Sequence, residues 1–298
     1  MKGLNLTNFY KQFPDEQACL EYLEKVRWPS GRACPHCGSL KTYKFKNGKL
    51  FKCGEKECRK QFTAKVGTIF SDSHIPLQKW FMAVYLLTSH KKGVSSITIA
   101  EHLDITQKSA WFVLQRIRYA MEYGLEKPLD NTVEMDETYG SVGKAGKKTR
   151  GRGTDKVPIF GMVERGGSVK AYVTPFLGRE IVEPLIRKSV KPTATVNTDY
   201  FSMYKKLIPN MGYKHERINH SKGQYAKGKV HTNTIEGYWS HLKASIDCIY
   251  IGVSPKHLQR YCDESSYRWN VRDMENGDRF ETWFKGINRH LPYKKLVG

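Results

Sequence analysis

Three acids set far apart in the chain, Asp136, Asp199 and Glu236, have the type and placement that can gather divalent cations. Asp136 lies on TVEMDETY (Thr132–Tyr139), which alternates as a strand, and Asp199 closes ATVNTD (Ala194–Asp199), a second strand. Glu236 belongs to HTNTIEGYWSHLK (His231–Lys243). At helical spacing, this stretch sets Asn233, Glu236, Ser240 and Lys243 on one face and Ile235, Tyr238, Trp239, Leu242 and Ile246 on an apolar one. A mixed α/β sheet can bring two carboxylates together, and a helix packed on it can add a third. Such an all-oxygen set suits Mg²⁺ or Mn²⁺. Two such ions about 3.5–4 Å apart stabilise the attacking and leaving oxygens of in-line phosphoryl transfer. Lys243, two turns beyond Glu236, reads as a phosphate contact.

Each acid also has an ordinary reading. Asp199 can cap the helix that follows it, and Glu236 can pair with Ser240 or Lys243. Glu137 competes with Asp136, but a period of two puts them on opposite faces, so only one can join the site. Asn233 shares the Glu236 face and can supply an oxygen instead. Trp239 reads as core. The joint placement favours a shared site over the separate readings.

A second constellation is Cys34-x2-Cys37, fifteen residues, then Cys53-x4-Cys58. Alternating residues flank Asn47-Gly48 between the pairs, a hairpin signal. Two cysteine knuckles joined by a hairpin describe a zinc ribbon, with Zn²⁺ in a closed, structural thiolate site. Cys19, Cys248 and Cys262 are scattered and read as reduced, and paired clusters in a reducing compartment indicate metal before disulfides.

The remaining elements follow from periodicity and breakers. A helix capped by Asp15 precedes Trp28-Pro29. Residues 76–123 read as three helices. A short one through Leu103, a turn at Asp104–Thr106 and a longer one from Gln107 suggest a helix-turn-helix. In the last helix Ala110, Leu114, Ile117 and Met121 face inward, leaving Gln107, Lys108, Gln115, Arg116 and Arg118 outward for DNA. Beyond a linker at 124–130 the pattern turns to strands. A basic run after Asp136 holds Lys147, Lys148, Arg150 and Arg152, read as DNA contacts, and 220–229 is a second polar, basic loop. A hairpin around Glu164–Gly167, a helix over Arg179–Val190, a short helix at Tyr200–Ile208, a strand at Lys214–Ile218 and a helix at Pro255–Asn270 complete a sheet flanked by helices.

The net charge is +21, from 50 Lys and Arg against 29 Asp and Glu. That excess favours a polyanionic partner, and nucleic acid is the commonest. No run of about 18 apolar residues is present, which argues against a membrane span. The N-terminal stretch lacks a signal-peptide core, so the expected location is intracellular, cytoplasmic and nucleoid-associated in a bacterium.

On RWPSGRACPHCGS (Arg27–Ser39), VEMDETYGSVG (Val133–Gly143), VNTDYFSMYKKL (Val196–Leu207), VHTNTIEGYWSHLK (Val230–Lys243) and YCDESSYRWNVR (Tyr261–Arg272), the chain resembles the Merlin-related insertion-sequence transposases. The resemblance implies an α/β, RNase H-like catalytic domain with a mixed sheet flanked by helices, preceded by the zinc ribbon and helix-turn-helix. It implies Asp136, Asp199 and Glu236 as catalytic acids, with Lys243 in the usual place. Some relatives carry Asn or His as third ligand, which keeps Asn233 open. Tyr267, Arg268 and Asn270 match a C-terminal motif of unassigned role. The expected division is 1–32 N-terminal helix, 33–70 ribbon, 75–124 helix-turn-helix and 130–298 catalytic domain. The expected activity is binding of terminal inverted repeats, strand cleavage and joining of 3′-hydroxyls to target DNA, by a homo-oligomer using two Mg²⁺ ions. The rival readings are a DNA-binding regulator with an inactive domain and a nuclease or resolvase.

Overall fold

The computed structural model describes residues 3–46, 48–122, 127–140, 156–219, 228 and 230–297. The chain divides into two compact units, Met1–His90 with Ser96–Ala120 and Met274–Gly298, and Lys91–Ser95 with Met121–Asp273.

The first unit opens with α1 (Leu6–Gln12) and α2 (Glu16–Arg27). Asp15 caps α2, accepting from the Ala18 amide at 2.8 Å. Strands β1 (Thr42–Lys44) and β2 (Phe51–Cys53) form the expected antiparallel pair, and β3 (Gln61–Phe62) adds to β2. Helices α3 (Leu77–Ser89), α4 (Ser96–Leu103) and α5 (Gln107–Met121) fall where periodicity puts them, with Asp104 at φ +48° in the turn between the last two. The C-terminal helices α10 (Asn276–Trp283) and α11 (Tyr293–Val297) were not anticipated. Phe280 and Phe284 pack on Phe81, with ring centroids at 6.0 and 5.0 Å, and Phe284 meets Tyr22 at 5.1 Å. Burial of these rings is what holds Met274–Gly298 in this unit rather than in the 130–298 span expected from sequence.

Part of the outward face expected for α5 is corrected. Lys108 is exposed, but Gln115 is buried, and Arg116 and Arg118 are only 2% and 1% exposed. Arg116 Nη1 donates to the carbonyls of Ile69, at 2.7 Å, and Ser71, and its guanidinium stacks on Phe112 at 4.4 Å. Trp283 Nε1 bonds the Ile117 carbonyl at 3.1 Å. Segments distant in sequence thus cover a helix face that its own periodicity labels polar, and the arginine stem is packed while carbonyls satisfy its head. Arg116 and Arg118 are therefore not DNA contacts in this fold.

The second unit is built on a five-stranded sheet of described residues, in the order β6-β5-β4-β7-β8. Its strands are β4 (Thr132–Gly140), β5 (Val157–Glu164), β6 (Val169–Val173), β7 (Thr195–Thr198) and β8 (Lys214–Arg217). β4, β5 and β6 form an antiparallel meander, and β7 and β8 run parallel to β4. One face, with Val133, Met135, Phe160 and Val196, packs on α6 (Arg179–Ser189) and α7 (Ser202–Asn210). The other, with Ile159, Val163 and Ala171, packs on α8 (Asn233–Ser245) and α9 (Leu258–Asn270).

The edge strand β6 is closed by α9. Asn270 Oδ1 accepts from the Val169 amide at 2.7 Å, and its Nδ2 donates to the Val169 carbonyl at 3.2 Å. Gln259 does the same for the Val173 amide and Ala171 carbonyl, at 2.7 and 3.0 Å. Residues 169, 171 and 173 are the ones whose backbone groups turn outward at an edge, so two side-chain amides replace the missing strand. This gives Asn270 of the C-terminal motif a physical role. Arg268 is buried and ion-paired with Glu264 one turn earlier, and donates to Ser245 on α8 at 3.3 Å.

Candidate active site

β4 and β7 pair in parallel, Glu134 with Asn197 and Met135 with Thr198. Continuing that register sets Asp136 beside Asp199, just beyond the end of β7. Residues paired in this way share a face of the sheet. Asp136 faces α8, where it accepts from Trp239 Nε1 at 3.0 Å. Glu137 turns to the other face and accepts from the Tyr204 hydroxyl of α7 at 2.9 Å. Alternation along β4 thus selects Asp136. Asp199 Oδ1 accepts from the Phe201 amide at 2.8 Å, an Asx turn that orients the carboxylate ahead of α7.

Burial pushes the Asp136 carboxyl up to about 7, with the negative charges of Glu137 and Asp199 adding to the effect and the Trp239 bond opposing it. The site thus concentrates negative charge in a poorly solvated place, which a cation relieves.

Helix α8 shows the two faces read from its sequence. Ile235, Tyr238, Trp239 and Leu242, with Ile246 just past the helix end, are buried, and Asn233, Glu236, Ser240 and Lys243 are exposed. Glu236 accepts from the Thr232 hydroxyl at 3.0 Å. The three acids are not gathered into one cluster. Among the described residues, the group of metal-type ligands with donor atoms all within 4.8 Å is Cys34, Cys37, Cys53 and Cys58. Mutual repulsion of carboxylates works against closure of an acidic triad. Lys147, Lys148, Arg150 and Arg152 lie outside the described residues.

Sequence reasoning missed Glu134, two positions before Asp136 on the same face and 0% exposed. No side chain at the start of α8 caps it. Glu134 does so from the strand, accepting from the Thr234 and Ile235 amides at 2.8 and 3.1 Å. These are two of the donors that a helix N-terminus leaves unsatisfied, and the carboxylate also complements the helix dipole. Its other oxygen accepts from Arg165 Nε at 2.6 Å and the Thr234 hydroxyl at 3.0 Å. Arg165 Nη2 in turn holds the His231 carbonyl at 2.8 Å. One buried carboxylate therefore sets where α8 begins relative to Asp136. Its alternation with Asp136 is legible in the strand, but its burial and its partners on α8 come from the tertiary fold.

Gly161 pairs with Asp136 across β4 and β5, and a Cβ there would lie 2.4 Å from the Trp239 ring. The missing side chain lets the indole lie flat enough for its N–H to reach Asp136. Gly161→Ala is expected to lower stability by about 1–3 kcal/mol through overpacking, measured by urea unfolding, with a shift in tryptophan fluorescence as Trp239 leaves Asp136.

In the first unit, Cys34 Sγ lies 3.8 Å from Cys58 Sγ, and Cys37 Sγ lies 3.6 Å from Cys53 Sγ. A tetrahedron with Zn–S bonds of about 2.3 Å has sulfurs about 3.8 Å apart, so the quartet fits zinc. Trp28, Phe51 and Phe62 pack against it. The purified chain is expected to carry one zinc per polypeptide by atomic emission, and Cys53→Ser to lose it together with the near-ultraviolet signal of the packed Trp28.

A four-cysteine ribbon, with a mixed α/β sheet in which an aspartate just past the end of β7 lies beside one in the middle of the parallel strand β4, points to the class of protein. A family profile described as ISXO2-like transposase domain matches residues 128–270, and one described as transposase zinc-ribbon domain matches residues 14–61. The chain is 30% identical over 270 residues to an uncharacterized protein in transposable element ISH50 of Halobacterium salinarum, covering 84% of this chain and 90% of that one. It is 31% identical over 108 residues to an uncharacterized transposase-like protein of Haemophilus influenzae, covering 36% of this chain and 85% of the relative. A solved Mos1 pre-cleavage transpososome aligns at 10% identity with a TM-score of 0.21, over 63% of this chain and 76% of that one, too distant to bear on this chain's mechanism. The chain belongs to the ISXO2-like transposase family. Among the described residues, no helix is long and apolar enough to cross a membrane.

Proposed function

We propose that the chain is a DNA transposase. It binds the terminal inverted repeats of its element, cleaves the strands and joins the freed 3′-hydroxyls to target DNA. The observation that carries the reading is the placement of Asp136 beside Asp199 on neighbouring parallel strands, facing the helix that bears Glu236. The strand order, a three-strand meander continued by two parallel strands with helices on both faces, supports an RNase H-like domain.

Asp136 and Asp199 are the residues that would hold Mg²⁺ or Mn²⁺, with Glu236 as third ligand and Asn233 as the alternative on the same face. The donor set is all oxygen and acidic, which fits hard divalent cations. When bound, two such ions supply charge stabilisation to the attacking and leaving oxygens of in-line transfer. The chain's own residues do the rest. Trp239 and the Asx turn orient the two carboxylates, Glu134 places α8, and Lys243 on the exposed face meets a phosphate. Lys108 and the basic run with Lys147, Lys148, Arg150 and Arg152 provide further phosphate contacts, and α4 and α5 act as a helix-turn-helix. Cys34, Cys37, Cys53 and Cys58 would hold a structural Zn²⁺. Two element ends must be brought together, so the active form is a homo-oligomer on DNA.

A cleavage and strand-transfer assay on intact and pre-nicked terminal-repeat DNA tests the reading. Joined products support it. Binding without cleavage points to a regulator, and cleavage without joining to a nuclease or resolvase.

A further inference from the structure

The edge of the sheet next to Asp199 carries a pair of side chains that the catalytic reading does not use. Tyr200 follows Asp199 directly and is 52% exposed. It is the middle residue of the Asx turn closed by the Phe201 amide on Asp199 Oδ1, so the turn that orients the carboxylate also holds Tyr200 in place. The Arg217 guanidinium lies over its ring, 4.2 Å from the centroid. Arg217 ends β8 and pairs in register with Thr198, so its side chain leaves the sheet on the α6 and α7 face, opposite Asp199, and meets Tyr200 beyond the carboxyl end of β7. β4, β7 and β8 run parallel; Asp199, Tyr200 and Arg217 lie at the carboxyl ends of β7 and β8, the end where open sheets bind ligands, and Asp136 lies beside them midway along the longer β4. At about 4.8 Å per strand, β8 is about 10 Å across the sheet from β4.

The chemistry of the pair is specific. Among the described residues Arg217 forms no ion pair with an acid, and its Nε is buried without a hydrogen-bond partner. A donor of that kind is costly to leave unmet. An arginine held over an aromatic ring is a preorganised cation whose terminal nitrogens can meet a phosphate. An exposed tyrosine ring beside it is a face on which a base can stack whatever its sequence. An aromatic face and a cation side by side match one nucleotide, base and phosphate together.

We propose that Tyr200 and Arg217 form the seat of the nucleotide flanking the reacting phosphodiester, with its base on the Tyr200 ring and its phosphate at Arg217. The proposal rests on Asp136 and Asp199 being the catalytic acids. It adds a ligand class, an unpaired or splayed nucleotide, and two residues to that site. The seat is sequence-tolerant, because stacking and phosphate contact read no base edge.

The test uses the full chain and duplexes copied from the terminal inverted repeat, pre-nicked at the element end. 2-Aminopurine replaces one base at a time on either side of the nick, and fluorescence is read without Mg²⁺. At one flanking position, wild type and Tyr200→Phe are expected to quench the probe. Tyr200→Ala is expected to leave it at the free-probe level and to weaken binding roughly tenfold. Arg217→Ala is expected to lower the slope of log affinity against log salt by about one. The seat is refuted if no flanking position is quenched, if quenching survives Tyr200→Ala, or if the Arg217→Ala salt slope equals that of wild type. Tyr200 is exposed, so its substitution leaves the core untouched, and Tyr200→Phe separates loss of the ring from loss of the hydroxyl. The readout needs no chemistry. Strand transfer by Asp136→Asn is measured in parallel: its survival would remove the catalytic reading and with it the placement beside the reacting phosphodiester, while the quenching pattern separately decides whether Tyr200 and Arg217 hold a nucleotide.

Discussion

Asp136→Asn and Asp199→Asn are each expected to lower strand transfer by about a thousandfold or more while repeat binding stays within a few-fold of wild type. A divalent cation contributes several kcal/mol of charge stabilisation to phosphoryl transfer, and each 1.36 kcal/mol is tenfold in rate. The asparagine keeps an oxygen for Trp239 and a similar volume but loses the charge that draws the cations in. Each change also removes a like charge from its neighbour, so protein stability should hold or rise. Glu236→Ala is expected to match the aspartate variants and Asn233→Ala to stay near wild type. The opposite order would make Asn233 the third ligand. Rates come from gel quantitation of joined product and binding from anisotropy of labelled repeat DNA.

Glu134→Ala is expected to cost about 3–5 kcal/mol in stability and to abolish strand transfer in whatever fraction still folds. Removing one partner of a buried charge pair carries a penalty of that order, and here the Thr234 and Ile235 amides lose their cap as well. Glu134→Gln keeps the shape but offers one carbonyl where two carboxylate oxygens collected these donors. It should fold with reduced stability and show a lower apparent affinity for Mg²⁺ as well as a lower maximal rate, because α8 starts from a looser position. A merely structural Glu134 would lower stability and leave the Mg²⁺ dependence of the folded enzyme unchanged. Urea unfolding and an Mg²⁺ titration of strand transfer distinguish the two.

Local periodicity carried much of this architecture. The period of 3.6 in HTNTIEGYWSHLK separated the faces of α8 correctly, residue by residue. The period of two in TVEMDETY placed Asp136 and Glu137 on opposite faces, and their partners Trp239 and Tyr204 sit on opposite sides of the sheet. The cysteine spacing anticipated a quartet with tetrahedral sulfur separations. What stayed hidden depends on contacts between segments far apart in sequence. The register of β4 with β7 is set across a helical crossover, which no local pattern encodes. Glu134 resembles a solvent-facing strand acid until α8 is laid over it. Arg116 reads as an outward cation because its acceptors, the Ile69 and Ser71 carbonyls, are backbone groups of another segment. The helical spacing puts Trp239 in the core, and it is buried, but its N–H reaches Asp136 only because position 161 is glycine. Asn270 appeared as one letter of a motif, and its function depends on β6 being an edge.

The central claim is that this acidic site performs metal-dependent strand transfer. The most direct measurement incubates the purified, zinc-loaded chain with pre-nicked terminal-repeat DNA and a target plasmid, with Mg²⁺ and with no added divalent ion, and counts joined products. Joined products with Mg²⁺, their absence without it, and undiminished repeat binding in both are the results expected. Repeat binding with no joining at any Mg²⁺ or Mn²⁺ concentration, or joining that persists without added divalent ion, would contradict it.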